Sequence, residues 1–235
     1  MSGDVSVQLR PGSRRLDSEP LSEQVYQVLR DAICDGVFED HTHLVQGELA
    51  AQLNVSRTPV RDALLRLSQE KLVRAVGARG YIVEALSERD ILDIYEVRLT
   101  IEVQGALLAL PNFAAADLRR IHDINDSINN FDYADADPYE LNLDFHMAVI
   151  EPCPNRLIVK IVRDTWDQPM SRRIYRRQLA AHHDRPRQID EHEPILAAIR
   201  ERDGEALEIA LTEHLVEARI ATSRFLASSS EKIGE

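Results

Sequence analysis

Short stretches of helical periodicity follow an aperiodic opening at the N-terminal end of the chain. Residues 1–20 contain Gly, Ser, Pro and Arg without a period, which predicts a flexible arm. Apolar residues then recur three and four positions apart over 21–33, and Gly36 suits the end of this helix. A second short helix is predicted from about Gly47 through Leu53.

The stretch 54–67, NVSRTPVRDALLRL, predicts a third helix with two different faces. Ser56 is a typical N-cap, and Pro59 falls in the first turn, where its missing N–H costs little. Arg57 and Arg61 lie four residues apart and share one face at the helix start. The apolar positions form a buried stripe on the opposite side: Val60, Leu64 and Leu67.

The pattern after this helix, KLVRAVGARGYIVEAL, predicts a hairpin. One strand begins at about Leu72, a turn over 77–80 carries Arg79, and a second strand covers 81–83. A hairpin after three short helices is typical of a winged helix-turn-helix unit. The first turn of its third helix would meet base edges or phosphates in a major groove.

From Ser87 onward the pattern is helical almost throughout. The sequence SERD is a capping box that opens a long helix, which Pro111 closes. Asp137 and Pro138 form a second helix start of the cap-then-proline type. The other helices are predicted over roughly 114–130, after Pro154 and continuing into SRRIYRR, from near Pro186 and from near Asp203.

The predicted fold is therefore mainly α, with a winged helix-turn-helix unit followed by an antiparallel six- to seven-helix bundle. The domain boundaries that follow are an arm over 1–20, a DNA-binding unit over 21–86, a helical unit over 87–228 and a tail over 229–235.

Composition narrows the class of protein. The apolar share of 44% can form a packed core, and 5% aromatic residues favour helices over sheets. No run approaches the roughly eighteen apolar residues of a membrane span, and no secretory leader is visible. Cys34 and Cys153 form no CxxC pattern, which suits reduced thiols. The expected protein is soluble and cytoplasmic, without a membrane partner.

Charge is distributed unevenly. The net charge is −12, yet the window 54–80 holds six basic residues against only Asp62 and Glu70, a local balance of +4. Such an island is an electrostatic footprint for an anionic partner. A solvated basic face is the alternative interpretation.

Three histidines lie on the apolar faces of three predicted helices: His146, His192 and His214. They could converge on one metal ion, or they could be hydrogen-bonded core residues. Glu191 and Glu193 flank His192 but project onto other sides of its helix, so no general base for a metal hydrolase is evident.

The line ELAAQLNVSRTPVRDALLRLSQEKLV, followed by GARGYIV, resembles the GntR family of bacterial transcription regulators. The resemblance implies that Arg57, Thr58 and Arg61 contact double-stranded DNA. The wing, with Arg79 and Gly80, would enter the adjacent minor groove. The departures from the family pattern lie outside these contacts: Asp62 for glutamate, Lys71 for glycine, and Glu39-Asp40-His41 for Pro-Gly.

The segments NLDFHMAVI, EHEPILAAI and TEHL resemble the FCD ligand-binding domain of FadR-type GntR regulators over about 87–227. This resemblance implies a divalent metal ion held by four residues: Asn142, His146, His192 and His214. Zinc is the leading ion, and nickel or manganese would also fit. Asn142 stands where aspartate is commoner, and Pro194, two residues after His192, is expected to kink the helix that carries this histidine.

The resemblance further implies a small carboxylate effector at the metal, held by Arg98. An ion pair of Arg98 with Glu102, one turn on, is the alternative role. The expected protein is a regulator, in the first place a repressor, that binds a palindromic operator as a homodimer. Two alternatives remain: the same regulator with a metal-free effector pocket, and a metal-dependent hydrolase.

Overall fold

The computed structural model describes residues 20–77, 80–130, 137–181 and 188–231. The chain divides into two compact units, and the boundary in the sequence falls between Leu86 and Ser87. Most of the predicted arm and the end of the predicted tail lie outside the described residues. Residues 229–231 of that tail belong to the last helix.

In the part of the N-terminal unit that the structure describes there are three helices and three strands. In chain order they are α1 (Leu21–Cys34), β1 (His43–Val45), α2 (Gln46–Gln52), α3 (Arg57–Gln69), β2 (Val73–Val76) and β3 (Gly80–Val83). The strands form an antiparallel sheet in the order β1-β3-β2. The pattern predicted β2, β3 and all three helices, whereas β1 was missed.

The core of this unit lies behind α3. Val60, Leu64 and Leu67 are fully buried, as their spacing predicted. They pack with apolar side chains of α1 and with Leu72 at the start of the hairpin. This packing fixes the orientation of α3 within its unit.

Both ends of α3 lack a common capping feature. Ser56 occupies the N-cap position of α3, as predicted, although its side chain makes no capping hydrogen bond. Lys71 follows the end of α3 with φ +60°. The Lys71 N–H donates to Ser68 and the Leu72 N–H to Leu67, so the helix ends in a Schellman motif without glycine.

The C-terminal unit is a bundle of seven α-helices within the described residues, which confirms the mainly α prediction. They are α4 (Glu88–Ala109), α5 (Ala115–Asn130), α6 (Pro138–Ile150), α7 (Arg156–Trp166), α8 (Pro169–Ala181), α9 (Gln188–Glu201) and α10 (Gly204–Glu231). A short 3-10 turn, Leu110–Asn112, follows α4. The helix α10 packs against α4, α8 and α9.

Local capping signals set several of these helix starts. Ser87 and Asp90 form the predicted capping box of α4. The side chain of Asp137 accepts a hydrogen bond at the start of α6, where Pro138 is the first residue. The predicted continuous helix after Pro154 is wrong, because the chain breaks at Asp167 and restarts at Pro169, giving α7 and α8.

Candidate nucleic-acid interface and candidate metal centre

The N-terminal tip of α3 presents three polar side chains above an apolar underside. Arg57, Thr58 and Arg61 are exposed, whereas Pro59 and Val60 are buried. The guanidinium of Arg57 lies so close to α2 that a Cβ at Gly47 would come within 3.3 Å of it. The buried side chains hold the helix while its tip stays open to a partner.

The basic window 54–80 is less positive in space than in sequence. Arg66 lies 2.6 Å from a carboxylate oxygen of Glu23 and 3.3 Å from one of Glu70. Arg74 pairs with Glu84 at 3.0 Å. Glu23 and Glu84 lie outside the window, so a count along the chain could not include them.

The remaining cations differ in their neighbours. Arg61 makes a solvent-exposed ion pair with Asp62 at 3.1 Å. Arg57 and Lys71 make no ion pair with any residue that the structure describes. The guanidinium groups of Arg57 and Arg61 thus remain accessible at the tip of α3. An anion that approaches the tip would displace only water and a weak surface pair.

The wing is described in part. Arg79, predicted to contact DNA, lies outside the described residues. Gly80 begins β3, and a Cβ at this position would come within 3.1 Å of the carbonyl oxygen of Val76. A larger residue at Gly80 would therefore crowd the turn.

Three histidines from three helices meet in the core of the helical unit. His146 lies on α6, His192 on α9 and His214 on α10, and all three are buried. One ring nitrogen from each lies within 4.8 Å of the others. The Nε2 atoms of His146 and His214 are 3.3 Å apart. Two nitrogens that bind one tetrahedral ion at about 2.1 Å lie about 3.4 Å apart, so this spacing suits shared ligation.

Two further buried atoms test whether a metal ion fits. Asn142 lies one turn before His146 on α6 and is buried. Neither its Oδ1 atom nor Nε2 of His192 has a hydrogen-bond partner among the described residues. Buried polar atoms without a partner are rare. A bound cation can satisfy buried atoms of this kind, and a set of three imidazoles and one amide oxygen is chemically suited to a divalent ion.

On the far side of each ring, a side-chain oxygen lies near Nδ1. The pairs are His146–Glu102 at 2.8 Å, His192–Asn125 at 3.1 Å and His214–Glu191 at 3.5 Å. Metal-binding histidines in proteins commonly have such partners, which orient the ring. Glu191 lies on another side of α9 from His192, as predicted, and it faces His214 instead.

Arg98 lies beside the histidines on α4 and is engaged by Glu102. Its Nε donates to Oε1 of Glu102 at 2.7 Å, and both side chains are buried. The indole N–H of Trp166 donates to the same oxygen at 3.0 Å. The Nη2 atom of Arg98 lies 3.5 Å from Nε2 of His146. The ion pair that the sequence offered as an alternative role is present, next to the histidine cluster.

Burial sets the protonation states of the cluster. It lowers the pKa of His146 to about 4, although Glu102 acts in the opposite direction. Burial and the two neighbouring histidines also hold the pKa of His192 well below its usual value. Both rings are therefore neutral near pH 7, which is the form that binds metal. Burial opposes ionisation of Glu102, but Arg98 and His146 outweigh it and lower the pKa of that carboxyl.

Sequence reasoning missed the partners of the histidines. The spacing along the chain pairs Glu102 only with Arg98, and it gives no signal for Asn125. The bundle topology packs α4 against α6 and α5 against α9, and no spacing along the chain encodes those neighbours. A winged helix-turn-helix unit with an exposed cationic helix tip, followed in the chain by a helical unit, is the architecture of a DNA-binding transcription regulator.

Comparison with known proteins agrees with this class. Residues 21–83 match the model of the bacterial regulatory proteins of the gntR family, and residues 93–217 match the FCD domain. The chain belongs to the GntR family of bacterial transcription regulators and carries an FCD domain. It is a DNA-binding regulator and not an enzyme, so the hydrolase alternative is excluded.

The chain is similar to several regulators over most of its length. It is 25% identical to the HTH-type transcriptional repressor RspR of Escherichia coli K12, over 98% of this chain and 99% of that protein. It is 28% identical to the gluconate operon transcriptional repressor of Bacillus licheniformis, over 76% and 75% of the two chains.

Solved structures share the fold. The GntR transcriptional regulator of Rhodococcus sp. RHA1 has a TM-score of 0.65 and 26% identity, covering 88% of this chain and 97% of that one. The E. coli protein McbR/YncC has a TM-score of 0.64 at 21% identity, over 88% of this chain and 99% of that one, and supports the fold alone. In the described part of the chain, no helix combines the length and the apolar character needed to cross a bilayer.

Proposed function

We propose that the chain represses transcription in the cytoplasm by binding an operator through the tip of α3. Arg57, Thr58 and Arg61 would contact the major groove, and the wing, with Arg79 and Gly80, the adjacent minor groove. The observation that carries this proposal is the exposed tip above a fully buried underside at Val60 and Leu64. The names of the two repressors to which the chain is similar support the sign of regulation.

The proposed binding form is a homodimer on a palindromic operator. A dimer with two-fold symmetry carries two equivalent reading helices, and these match two half-sites of opposite orientation. The phosphate contacts would release counterions, so affinity should fall steeply as salt rises.

The proposed sensor is a FadR-type metal site in the bundle. Asn142, His146, His192 and His214 would hold one divalent ion, with zinc ahead of nickel and manganese. The ion would supply a Lewis-acidic position for a small carboxylate effector. The convergence of the ring nitrogens within 4.8 Å supports the ion. The guanidinium of Arg98, 3.5 Å from His146, supports an anionic ligand.

The effector would act through differential binding. It changes operator affinity only to the extent that it binds one arrangement of the dimer better than another. A tenfold difference in affinity corresponds to about 1.4 kcal/mol.

One alternative keeps the regulator but removes the ion. The 3.3 Å separation of Nε2 of His146 and Nε2 of His214 also allows a direct hydrogen bond between the rings. The histidines would then line a metal-free effector pocket. Elemental analysis of protein purified without added metal distinguishes the two forms.

Operator binding tests the regulator itself. The full chain is titrated by fluorescence anisotropy into a duplex from its own promoter region and into a scrambled duplex of equal length. The proposal requires a clear preference for the promoter duplex that weakens with salt. Equal affinity for both duplexes, with and without candidate carboxylates, would remove the proposal.

A further inference from the structure

We infer that Glu102 and Asn125 are positioning residues that hold His146 and His192 in the Nδ1–H tautomer and leave both Nε2 lone pairs for the ion. The inference rests on the proposed metal centre. It concerns the residues outside that centre, which decide whether two of its ligands are ready to bind.

His192 is fixed on two sides. Its Nδ1 atom lies 3.1 Å from Oδ1 of Asn125, which is buried on α5. Its ring stacks on Phe145 with centroids 3.7 Å apart and planes 8° from parallel. The stacking restricts the orientation of the ring plane, and the amide oxygen of Asn125 accepts a hydrogen bond from Nδ1–H of His192. The Nε2 atom, which has no partner among the described residues, is then an exposed lone pair inside the cluster.

His146 depends on a carboxylate with three donors around it. Oε1 of Glu102 accepts from Nε of Arg98 at 2.7 Å and from the Trp166 indole at 3.0 Å. Oε2 of Glu102 lies 2.8 Å from Nδ1 of His146. Only a group with two acceptor oxygens can serve all three donors. The ionised carboxyl therefore selects the ring tautomer with its proton on Nδ1.

The amide in Glu102→Gln cannot meet this demand. If its oxygen stays with Arg98 and Trp166, its NH2 group faces Nδ1 of His146. That ring nitrogen must then accept, and the proton moves to Nε2, where the ion would bind. In water, a neutral histidine side chain favours the proton on Nε2. The Glu102 carboxylate therefore stabilises the tautomer that is less favoured in water.

The first experiment reads the tautomers directly. Nitrogen–proton NMR of the imidazole rings is recorded on the chelator-treated full chain near pH 7. The inference requires the proton on Nδ1 in both His146 and His192. A proton on Nε2 of either ring would overturn the assignment of its partner.

The second experiment separates positioning from packing at Asn125. Zinc affinity is measured by competition with a chromogenic chelator. Asn125→Leu should weaken it by about 10- to 100-fold, the usual effect of losing such a partner. Asn125→Asp keeps an acceptor and should retain wild-type affinity or better. A packing role would give the opposite order, because leucine tolerates burial and a carboxylate does not.

Control variants on the same helices complete this test. The first control is Asn129→Leu, because Asn129 lies one turn after Asn125 on α5. The second is Glu96→Gln, because Glu96 is exposed on α4. Both should leave zinc affinity unchanged, whereas Glu102→Gln should weaken it by about 10- to 100-fold. Circular dichroism checks the fold of Glu102→Gln, because that change removes the carboxylate partner of Arg98. If it does not fold, the Asn125 variants and the NMR data decide.

The outcomes for this inference and for the metal centre are distinct. A wild-type chain that binds no zinc refutes the metal centre, and the tautomer measurement still judges the inference. A wild-type chain that binds zinc, with Asn125→Leu and folded Glu102→Gln binding equally well, overturns the inference and leaves the metal centre intact.

Discussion

The two units place arginines in opposite environments. Arg61 in the DNA-binding unit is exposed, and its ion pair with Asp62 is open to solvent. Arg98 in the bundle is only 6% exposed, and its pair with Glu102 is closed to water. A solvated arginine contributes little to folding and stays available for a partner. A buried one is needed by the fold, because its removal leaves a charge without compensation.

The largest effect should come from breaking the buried pair. Arg98→Met leaves the carboxylate of Glu102 buried with fewer donors, and we expect a loss of about 3–5 kcal/mol in unfolding free energy. Chemical denaturation of the full chain, followed by a signal from Trp166 in the bundle, measures this loss. Arg61→Ala is the comparison and should leave that transition in place. Equal stability of Arg98→Met and wild type would contradict the structural role.

Removing the exposed arginines at the tip of α3 should weaken operator binding. Arg57→Ala and Arg61→Ala should each weaken operator binding by about 1–3 kcal/mol, because each removes a contact with a base edge or phosphate. The affinity of each variant for the promoter duplex is measured by fluorescence anisotropy. Arg89→Ala, an exposed arginine on α4, is the control. Unchanged affinity in both variants would show that the tip of α3 does not read DNA.

The stability of the bundle should also depend on pH. Burial lowers the pKa of His146 from 6.5 to about 4, so the folded chain resists a proton that the unfolded chain takes up. Above pH 6.5 the ring is mostly neutral in both the folded and the unfolded chain, so it does not oppose folding. As the pH falls toward 4, the unfolded chain takes up the proton first, and the free energy of unfolding decreases. Thermal unfolding of the chelator-treated chain in this window should show the decline.

Two histidine variants check the origin of that decline. His146→Gln should flatten it, because the titrating ring is gone. His122→Gln, on the exposed side of α5, should leave it unchanged. A decline of the same size in all three proteins would assign it to other groups.

The smallest expected change in stability comes from glycine substitutions at two helix ends, one in each unit. Lys71 and Arg202 both adopt positive φ, +60° and +55°. Lys71→Gly should stabilise the DNA-binding unit by about 0.5–1 kcal/mol, because glycine adopts this conformation without strain. Arg202→Gly should gain nothing, since it also removes hydrogen bonds of 2.8 and 2.7 Å to the carbonyl oxygens of Leu110 and Phe113. Differential scanning calorimetry of both variants tests the contrast, and a lower melting temperature for Lys71→Gly would contradict it.

Features encoded by neighbouring residues could be predicted from the sequence. The capping box at Ser87, the helix start at Pro138 and the buried stripe under α3 depend on residues a few positions apart. The strand β1 was missed because three residues carry too little pattern, and its pairing of Leu44 with Tyr81 is distant in sequence. The break between α7 and α8 had a local signal in Pro169 that the helical pattern on both sides obscured.

The candidate metal centre was predictable only as a set of inward-facing histidines. Their apolar helix faces are local information, so His146, His192 and His214 could be selected. Which oxygen backs each ring depends on helix packing, and Asn125 on α5 could not be chosen without it. The sequence count of positive charge near α3 failed for the same reason, because Glu23 folds onto Arg66 from α1.

The metal content of the purified full chain is the most direct test of the proposed sensor. The wild-type chain, the variant His192→Ala and the control variant His122→Ala are each supplied with zinc and dialysed. Their zinc content is then measured by inductively coupled plasma mass spectrometry. The account predicts about one ion per chain in wild type and control, and none in His192→Ala. Equal retention in all three proteins, or no retained ion in wild type, would contradict it.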